Sequence, residues 1–331
     1  MLLTPECLKL DFEFEASRVA TFIKDAIVRT LKKKGAVVAV SGGIDSSTTA
    51  ALCVRALGSD RVYALLLPER DSSPESIRCG KMLVDHLGIR HEAIDIAPIL
   101  ESMGCYRYRD EAIREVFPAY SPAFKNKIVL GEKSRQEPGI NFYSIVIESP
   151  EGRQQKKRLP LKNYLQIVAA TNMKQRTRKS LEYFHADRLN YAVAGTPNFL
   201  EYDQGFFVKL GDGAADIKPI AHLYKTQVYG MARHLGLPAE LCERKPTTDT
   251  YSLEQSQEEF YFQLSHETLD LVLCGLSQRL DEATISRGTG VPPAELKWLI
   301  DDVKQKRVST APLHLEPLTL VRPSRPAMEA I

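Results

Sequence analysis

The sequence has no long uninterrupted apolar run and no apolar N-terminal segment. Its apolar stretches are all shorter than the roughly 20 residues that cross a bilayer. Asp11, Glu13 and Glu15 interrupt the segment that would have to be apolar in a secretory signal. These absences predict a cytoplasmic protein with no membrane partner.

The sequence also lacks closely spaced cysteines and an excess of charge of either sign. Its six cysteines and seven histidines are scattered, and no pair of cysteines has CxxC spacing. That pattern gives no indication of a zinc site or a disulfide framework. The formal net charge is only +2, so the composition gives no reason to expect a nucleic-acid partner.

Short apolar runs alternate with amphipathic segments in the first third of the chain. Residues 36–40, 61–67 and 91–96 are predicted strands, and 16–33, 46–57 and 76–87 are predicted helices. Strands that alternate with helices form parallel sheets covered on both faces. We therefore expect an α/β fold with a doubly wound parallel sheet.

The alternation stops between about residues 101 and 161. Residues 141–147 alternate like a strand, 149–152 form a turn, and a polar run over 153–158 leads back, which predicts a β-hairpin insertion. Beyond it we expect a helix over 164–184, a strand over 189–194, a helix over 222–235 and two or three helices within 254–308. The chain is interpreted as one domain over 1–331, with an insertion at 101–161 and a proline-rich tail at 312–331.

The loop with the sequence SGGIDSS, residues 41–47, lies at the carboxyl end of the first predicted strand and opens a helix. Open α/β sheets bind ligands at that edge. Glycines let the backbone approach an anion, and hydroxyls and free helix amides can then hold phosphate oxygens. The loop lacks the Gly-Lys-Ser/Thr ending of a Walker A motif. Asp45 would repel a bare polyphosphate, so the sequence predicts a bridging Mg²⁺.

This loop resembles the pyrophosphate loop of the ATP-pyrophosphatase superfamily, and five later blocks resemble the NAD synthetases within it. The blocks are NMKQRTR at 172–178, AGTPNFLE at 194–201, FVKLGDGAADI at 207–217, LYKT at 223–226 and KPTTD at 245–249. The resemblance implies an adenine nucleotide alpha hydrolase-like fold and a carbon–nitrogen ligase that uses ATP.

The resemblance also implies residue roles. Asp45 and Lys225 would be catalytic, and Asp45 and Glu201 would bind Mg²⁺. Arg176, Lys209, Asp216 and Lys306 would contact deamido-NAD. The residues expected to contact ATP are Ser41, Gly42, Gly43, Ile44, Asp45, Ser46, Ser47, Thr196, Lys225 and Thr247.

The implied reaction has two steps. The nicotinate carboxylate of deamido-NAD attacks the α-phosphate of ATP, which gives an acyl-adenylate and pyrophosphate. Ammonia, free or supplied by a separate protein, then displaces AMP and forms NAD. The resemblance also implies a homodimer.

Several departures from the family pattern fall on the second substrate rather than on ATP. Pro197, Phe199 and Leu200 replace smaller or polar residues, and Gln305 stands where the family has a histidine before Lys306. They keep open a ligase that amidates a different carboxylate. A third reading is an inactive nucleotide-binding module, against which the presence of both Asp45 and Glu201 argues.

Overall fold

The structure, a computed structural model, describes residues 3–130, 143–244, 251–253 and 264–320. Its central sheet contains four parallel strands in the order β3-β2-β1-β7. The strands are β1 (Ala36–Ala39), β2 (Val62–Leu66), β3 (Arg90–Ala93) and β7 (Ala192–Val193). Val38 packs into the apolar cluster on one face of the sheet and Val37 into the cluster on the other. The predicted doubly wound parallel sheet is thus confirmed.

The helices between these strands also follow the prediction. They are α1 (Phe12–Lys24), which continues as a wider helical turn over Asp25–Thr30, α2 (Ile44–Leu57) and α3 (Pro74–Leu87). Asp11 accepts a hydrogen bond from the Phe14 amide and so starts α1 earlier than residue 16.

The topology brings two loops together beside β1. The chain passes from β1 to β2 on one side and returns to β7 on the other. The loop at 41–47 and the segment after β7 therefore leave adjacent strands at the carboxyl edge of the sheet. Such a change in strand order opens the crevice where doubly wound sheets bind ligands.

The insertion contains more structure than the predicted hairpin. Residues 101–161 include the end of α4 (Ala97–Ser102), then α5 (Cys105–Val116), and an antiparallel sheet of β4 (Lys125–Leu130), β5 (Tyr143–Glu148) and β6 (Gln154–Arg158). The hairpin corresponds to β5 and β6, while Asn141 and Phe142 lie outside the described residues. The sequence did not indicate α5 because its buried face carries charged residues, Arg109 and Asp110, among the apolar ones.

The next helix, α6 (Leu161–Leu189), is much longer than the strand it leads into. Its 29 residues span about 43 Å, whereas the two residues of β7 span about 7 Å. The Arg178 side chain donates to the Leu67 carbonyl just after β2, so Arg178 marks the carboxyl edge of the sheet. The N-terminal half of α6 extends beyond that edge and packs against α5 and the insertion.

Short and long helices complete the fold. They are α7 (Phe199–Gln204), α8 (Lys225–His234), α9 (Ala239–Glu243), α10 (His266–Ser277), α11 (Glu282–Thr289) and α12 (Pro293–His314). Pro312 lies inside α12, so the predicted tail begins in helix, and 321–331 lie outside the described residues. None of the helices in the described ranges is long and apolar enough to cross a membrane.

Candidate active site

The loop after β1 is built to expose backbone. Gly42 has a φ of +74°, and a Cβ there would lie 2.6 Å from the Ser76 carbonyl oxygen, so this position requires glycine. The Ser46 and Ser47 hydroxyls donate to the Gly43 carbonyl at 3.0 and 2.8 Å and hold the turn closed. Gly43 and the first residues of α2 line the cavity, and the free amides at the start of a helix suit an anion.

A cluster of charged side chains lies beside this loop. The Lys225 ammonium donates to Asp45, and Lys225 is only 1% exposed. Asn198 connects the two predicted metal ligands, since its side-chain amide donates to Asp45 (3.0 Å) and its backbone amide donates to Glu201 (3.1 Å). The loop after β1, the start of α7 and the start of α8 thus place Asp45, Glu201 and Lys225 together.

The electrostatics of the cluster favour an added cation. Burial and the nearby charge of Asp45 raise the pKa of Glu201 to about 8. Burial lowers the pKa of Lys225, but the charges of Asp45 and Glu201 outweigh it and hold that pKa above its ordinary value. Two carboxylates thus face one ammonium, and Mg²⁺ typically binds to one or two carboxylates plus substrate phosphates. The donor set fits such an ion, although no group of three or more potential ligand residues occurs within the described ranges.

A cavity of about 460 Å³ lies above this cluster at the carboxyl edge of the sheet. Most of the predicted ATP contacts line the cavity, whereas Gly42 and Ser47 belong to the glycine loop but do not line the cavity. The cavity extends along α6, and Tyr143, Tyr164 and Tyr251 line its end farther from the glycine loop. The predicted residues that line it are Ser41, Gly43, Ile44, Asp45, Ser46, Thr196, Glu201 and Lys225. Thr247 lies outside the described residues.

Two arginines in the cavity wall were not singled out from the sequence. Arg244 donates to the Gly42 carbonyl (3.1 Å) and to the Ser76 hydroxyl (2.8 Å) and places its charge beside the glycine loop. Arg178 lines the cavity at the sheet edge. Both had a signal: Arg244 directly precedes the KPTTD block, and Arg178 ends the NMKQRTR block.

None of the four predicted deamido-NAD contacts lines this cavity, and three of them, Arg176, Lys209 and Asp216, have at least partly exposed side chains. Arg176 is exposed and donates to the Lys209 carbonyl (3.3 Å). The Lys209 ammonium donates to the carbonyls of Pro312 (2.8 Å) and Leu315 (3.1 Å) at the end of α12. Asp216 accepts from the Val193 amide (2.7 Å) at the end of β7. The structure therefore brings Arg176 and Lys209 together and leaves their role as substrate contacts a prediction.

Lys306 lies inside the C-terminal layer. It is buried, and its ammonium pairs with Asp302 at 2.8 Å within α12. Burial lowers its pKa despite that partner.

The departures at the start of α7 have a structural explanation. Leu200 is 1% exposed and belongs to the apolar cluster of α10, α11 and α12. The Phe199 ring packs edge-on against Tyr224, with centroids 4.8 Å apart. These apolar side chains attach the C-terminal helices to the loop that carries Glu201.

Lys174 is another buried lysine, and it does not line the cavity. The Lys174 ammonium donates to Glu69 (2.8 Å) and Asp71 (2.7 Å), and Arg109 pairs with both Asp71 and Asp110. Burial would raise the pKa of Asp71, but the charges of Lys174 and Arg109 hold it below the ordinary value. This cluster joins α6, α5 and the loop after β2.

Comparison with known proteins gives the chain a family. The family model described as NAD synthase matches residues 15–119 and 133–309. The NH(3)-dependent NAD(+) synthetase of Rhizobium meliloti (strain 1021) is 52% identical over 323 residues, which cover 98% of this chain and 96% of that protein.

Two solved structures share the fold. An NH3-dependent NAD synthetase from Campylobacter jejuni has a TM-score of 0.61 at 21% identity and covers 94% of this chain and 100% of its own. An NMN synthetase from Francisella tularensis has a TM-score of 0.63 at 20% identity and covers 94% of this chain and 99% of its own. The match to the family model and the 52% identity to the curated relative show that the chain belongs to the NAD synthase family.

Proposed function

We propose that this chain is an ammonia-dependent NAD synthetase, which amidates deamido-NAD to NAD and converts ATP to AMP and pyrophosphate. The observation that carries the proposal is the buried Lys225, held against Asp45 and close to Glu201 beside a glycine loop at the change in strand order. The high identity to the curated synthetase of Rhizobium meliloti supports it.

In the first step a nicotinate carboxylate oxygen attacks the α-phosphorus of ATP, and the bond from that phosphorus to the pyrophosphate oxygen breaks. Lys225 and Arg244 provide positive charge beside the loop as negative charge develops on the departing pyrophosphate. The amides at the start of α2 bind phosphate oxygens and hold ATP in line with the carboxylate, which lowers the entropic cost of the encounter.

Asp45 and Glu201 are the residues that would hold Mg²⁺. When bound, the ion would supply positive charge that neutralises the phosphate charge of ATP. Asn198 positions both carboxylates for that role, because it donates to each of them.

In the second step the nitrogen of ammonia attacks the acyl carbon of the adenylate. The amide bond forms, AMP leaves with the electron pair of the acyl–oxygen bond, and the ammonia proton passes to solvent. No covalent bond to the enzyme is needed, so the site requires no nucleophilic side chain.

Incubation of the purified chain with ATP, Mg²⁺, ammonium and deamido-NAD tests the proposal. We expect NAD, AMP and pyrophosphate in equal amounts, with AMP formation dependent on deamido-NAD. Absence of both NAD and AMP would contradict the proposal, and AMP formed only with another carboxylate would point to a different ligase.

We further propose that the chain forms a homodimer. Leu161 and Leu165 are 70% and 55% exposed and lie one turn apart on α6, where the neighbouring helix α5 exposes Tyr108. Such an apolar patch is typical of an interface between copies. Light scattering of the purified protein should give twice the 37.1 kDa chain mass, and a monomer at assay concentration would contradict this.

A further inference from the structure

The three described residues that follow the KPTTD block contact the insertion sheet rather than the C-terminal helices. The Leu253 amide donates to the Asn126 carbonyl on β4 (3.1 Å), and the Asn126 amide donates to the Ser252 hydroxyl (2.9 Å). The Asn126 side-chain amide donates to the same hydroxyl at 3.3 Å and to the Tyr120 hydroxyl at 2.9 Å. Residues 251–253 are therefore attached to the outer edge of β4.

Side chains strengthen this attachment. Tyr251 is 4% exposed and packs in the same apolar cluster as Ile128 and Ile145 of the insertion strands. Leu253 packs with Val129 and Val146. Asn126 is fully buried, and a buried amide that hydrogen-bonds two hydroxyls fixes their positions closely.

The same segment also forms a wall of the active-site cavity. Tyr251 lines the cavity and shares a hydrogen bond with the Thr171 side chain on α6. Thr171 precedes Arg178 by seven residues, so it lies about 10 Å beyond the carboxyl edge of the sheet. Tyr143 and Tyr164, whose stacked rings have centroids 4.2 Å apart, line this end of the cavity as well.

The two ends of the cavity suit different ligand groups. The end at the sheet edge has the glycine loop, and the apolar residues Val40, Ile44 and Pro68 also line the cavity. The aromatic end is farther along α6, away from the glycine loop. Tyrosine rings offer flat apolar surfaces against which a nucleotide ring packs.

We infer that the insertion sheet is part of the dinucleotide site: Ser252 and Asn126 are positioning residues that hold the ring of Tyr251 against deamido-NAD. This inference rests on the proposed function. The match to the family model omits residues 120–132, the stretch that contains Tyr120 and all of β4. The contact thus joins residues 251–253, which the family model matches, to β4, which it does not match.

Substitution of Ser252 provides the test. Ser252→Ala removes the acceptor of both Asn126 hydrogen bonds, and we expect the KM for deamido-NAD to rise roughly fivefold to tenfold, as the loss of one or two hydrogen bonds implies. The KM for ATP and kcat should change less than about twofold on the same reasoning. Ser252→Thr keeps the hydroxyl and should restore the KM of the wild type.

Asn163 provides a matched control within the same region. Its side-chain amide donates to the Ala112 carbonyl (3.0 Å) and to Glu115 (2.9 Å), so both of these hydrogen bonds go to α5 and neither goes to residues 251–253. Asn163→Ala should lower thermal stability without a change in either KM. Asn126→Ala should lower stability and also raise the KM for deamido-NAD.

The outcomes separate the inference from the proposed function. If the wild type amidates deamido-NAD and Ser252→Ala leaves its KM unchanged, or raises only the KM for ATP, the inference is wrong and the proposed function stands. If the wild type does not amidate deamido-NAD, both fall. A selective rise in the KM for deamido-NAD that Ser252→Thr reverses supports the inference.

Discussion

Lys225 and Lys174 are both almost fully buried and both form ion pairs with carboxylates, yet their surroundings differ. Lys225 faces Asp45 and Glu201 at the wall of a cavity, and the side chain of Asp45 is 16% exposed. Lys174 lies among Glu69, Asp71 and Arg109, where every side chain is 5% exposed or less.

Charge balance explains the contrast. The Lys174 cluster contains the cations Lys174, Arg109 and Arg70 and the acids Glu69, Asp71 and Asp110, so its charges cancel. In the Lys225 cluster two carboxyl groups face one cation beside open space, and the raised pKa of Glu201 shows that the charge of Lys225 does not compensate both of them. A buried ion pair alone does not indicate a functional site; an uncompensated charge that a ligand can reach does.

The largest expected effect is on stability, at Lys174. Lys174→Met leaves Glu69 and Asp71 buried without that cation, and removal of one partner from a buried pair costs about 3–5 kcal/mol. Chemical denaturation should show this loss in the free energy of unfolding. The turnover of the folded fraction should stay within about twofold of the wild type, because the cluster does not line the cavity. A large loss of turnover in fully folded Lys174→Met would show that Lys174, like Lys225, is needed for the reaction.

The next effect is on turnover, at Lys225. Lys225→Met removes positive charge beside the departing pyrophosphate, and loss of such a group costs about 10²–10³-fold in kcat. AMP release measured at saturating ATP and deamido-NAD should show it. Turnover near that of the wild type would remove Lys225 from the catalytic site.

Asp270 provides a buried acid with a different environment from Asp71. Its carboxylate accepts from the Thr226 amide and hydroxyl at 2.8 Å, at the start of α8 next to Lys225. Burial raises the pKa of Asp270 to about 6. A folded-state pKa above the unfolded value of about 3.9 means that ionisation destabilises the fold.

The wild type should therefore lose stability relative to Asp270→Asn as the pH rises from about 4 to 6, by up to about 3 kcal/mol. Asp71, whose pKa is lowered by its cations, should have the opposite effect: its contribution is lost as the pH falls through the lowered pKa. The free energies of unfolding of the wild type and of Asp270→Asn, determined between pH 4 and 7, would measure the pH dependence that Asp270 contributes. A constant difference across that range would contradict the assignment.

The smallest expected effect is at Arg244. Arg244→Ala removes the bonds to Gly42 and Ser76 and should raise the KM for ATP about tenfold, with a smaller change in the KM for deamido-NAD. Arg78 is the matched control, because it pairs with Glu75 and Glu240 on the exposed surface of α3. Arg78→Ala should leave the KM for ATP unchanged, and an equal effect in both variants would show that the Arg244 contact is not specific.

The sequence predicted the parallel sheet and the position of the glycine loop after its first strand because these depend on local patterns. A buried strand, a glycine turn and a helix start are contiguous in sequence, and Asp45 lies within them. Lys225 and Glu201 required the family resemblance, since they lie far from the loop in the chain.

Other features depend on contacts between distant segments. Asn198 belongs to the AGTPNFLE block, but nothing in the sequence indicated that it connects Asp45 to Glu201. Arg109 of α5 forms an ion pair with Asp71 in the loop after β2. Because charged residues lie on the buried face of α5, its sequence lacks a clear pattern of apolar residues at helical spacing. The contact of Asn126 with Ser252 joins residues 126 positions apart, and no pattern in either segment indicates it.

Exchange of labelled pyrophosphate into ATP, measured with deamido-NAD and Mg²⁺ but without ammonia, reports the adenylation step alone. We expect exchange that depends on deamido-NAD in the wild type and in the folded fraction of Lys174→Met. The rate in Lys225→Met should be at least about 10²-fold lower. Equal exchange in the two lysine variants, or exchange without deamido-NAD, would show that Lys225 has no special role in adenylation or that the carboxylate substrate is wrong.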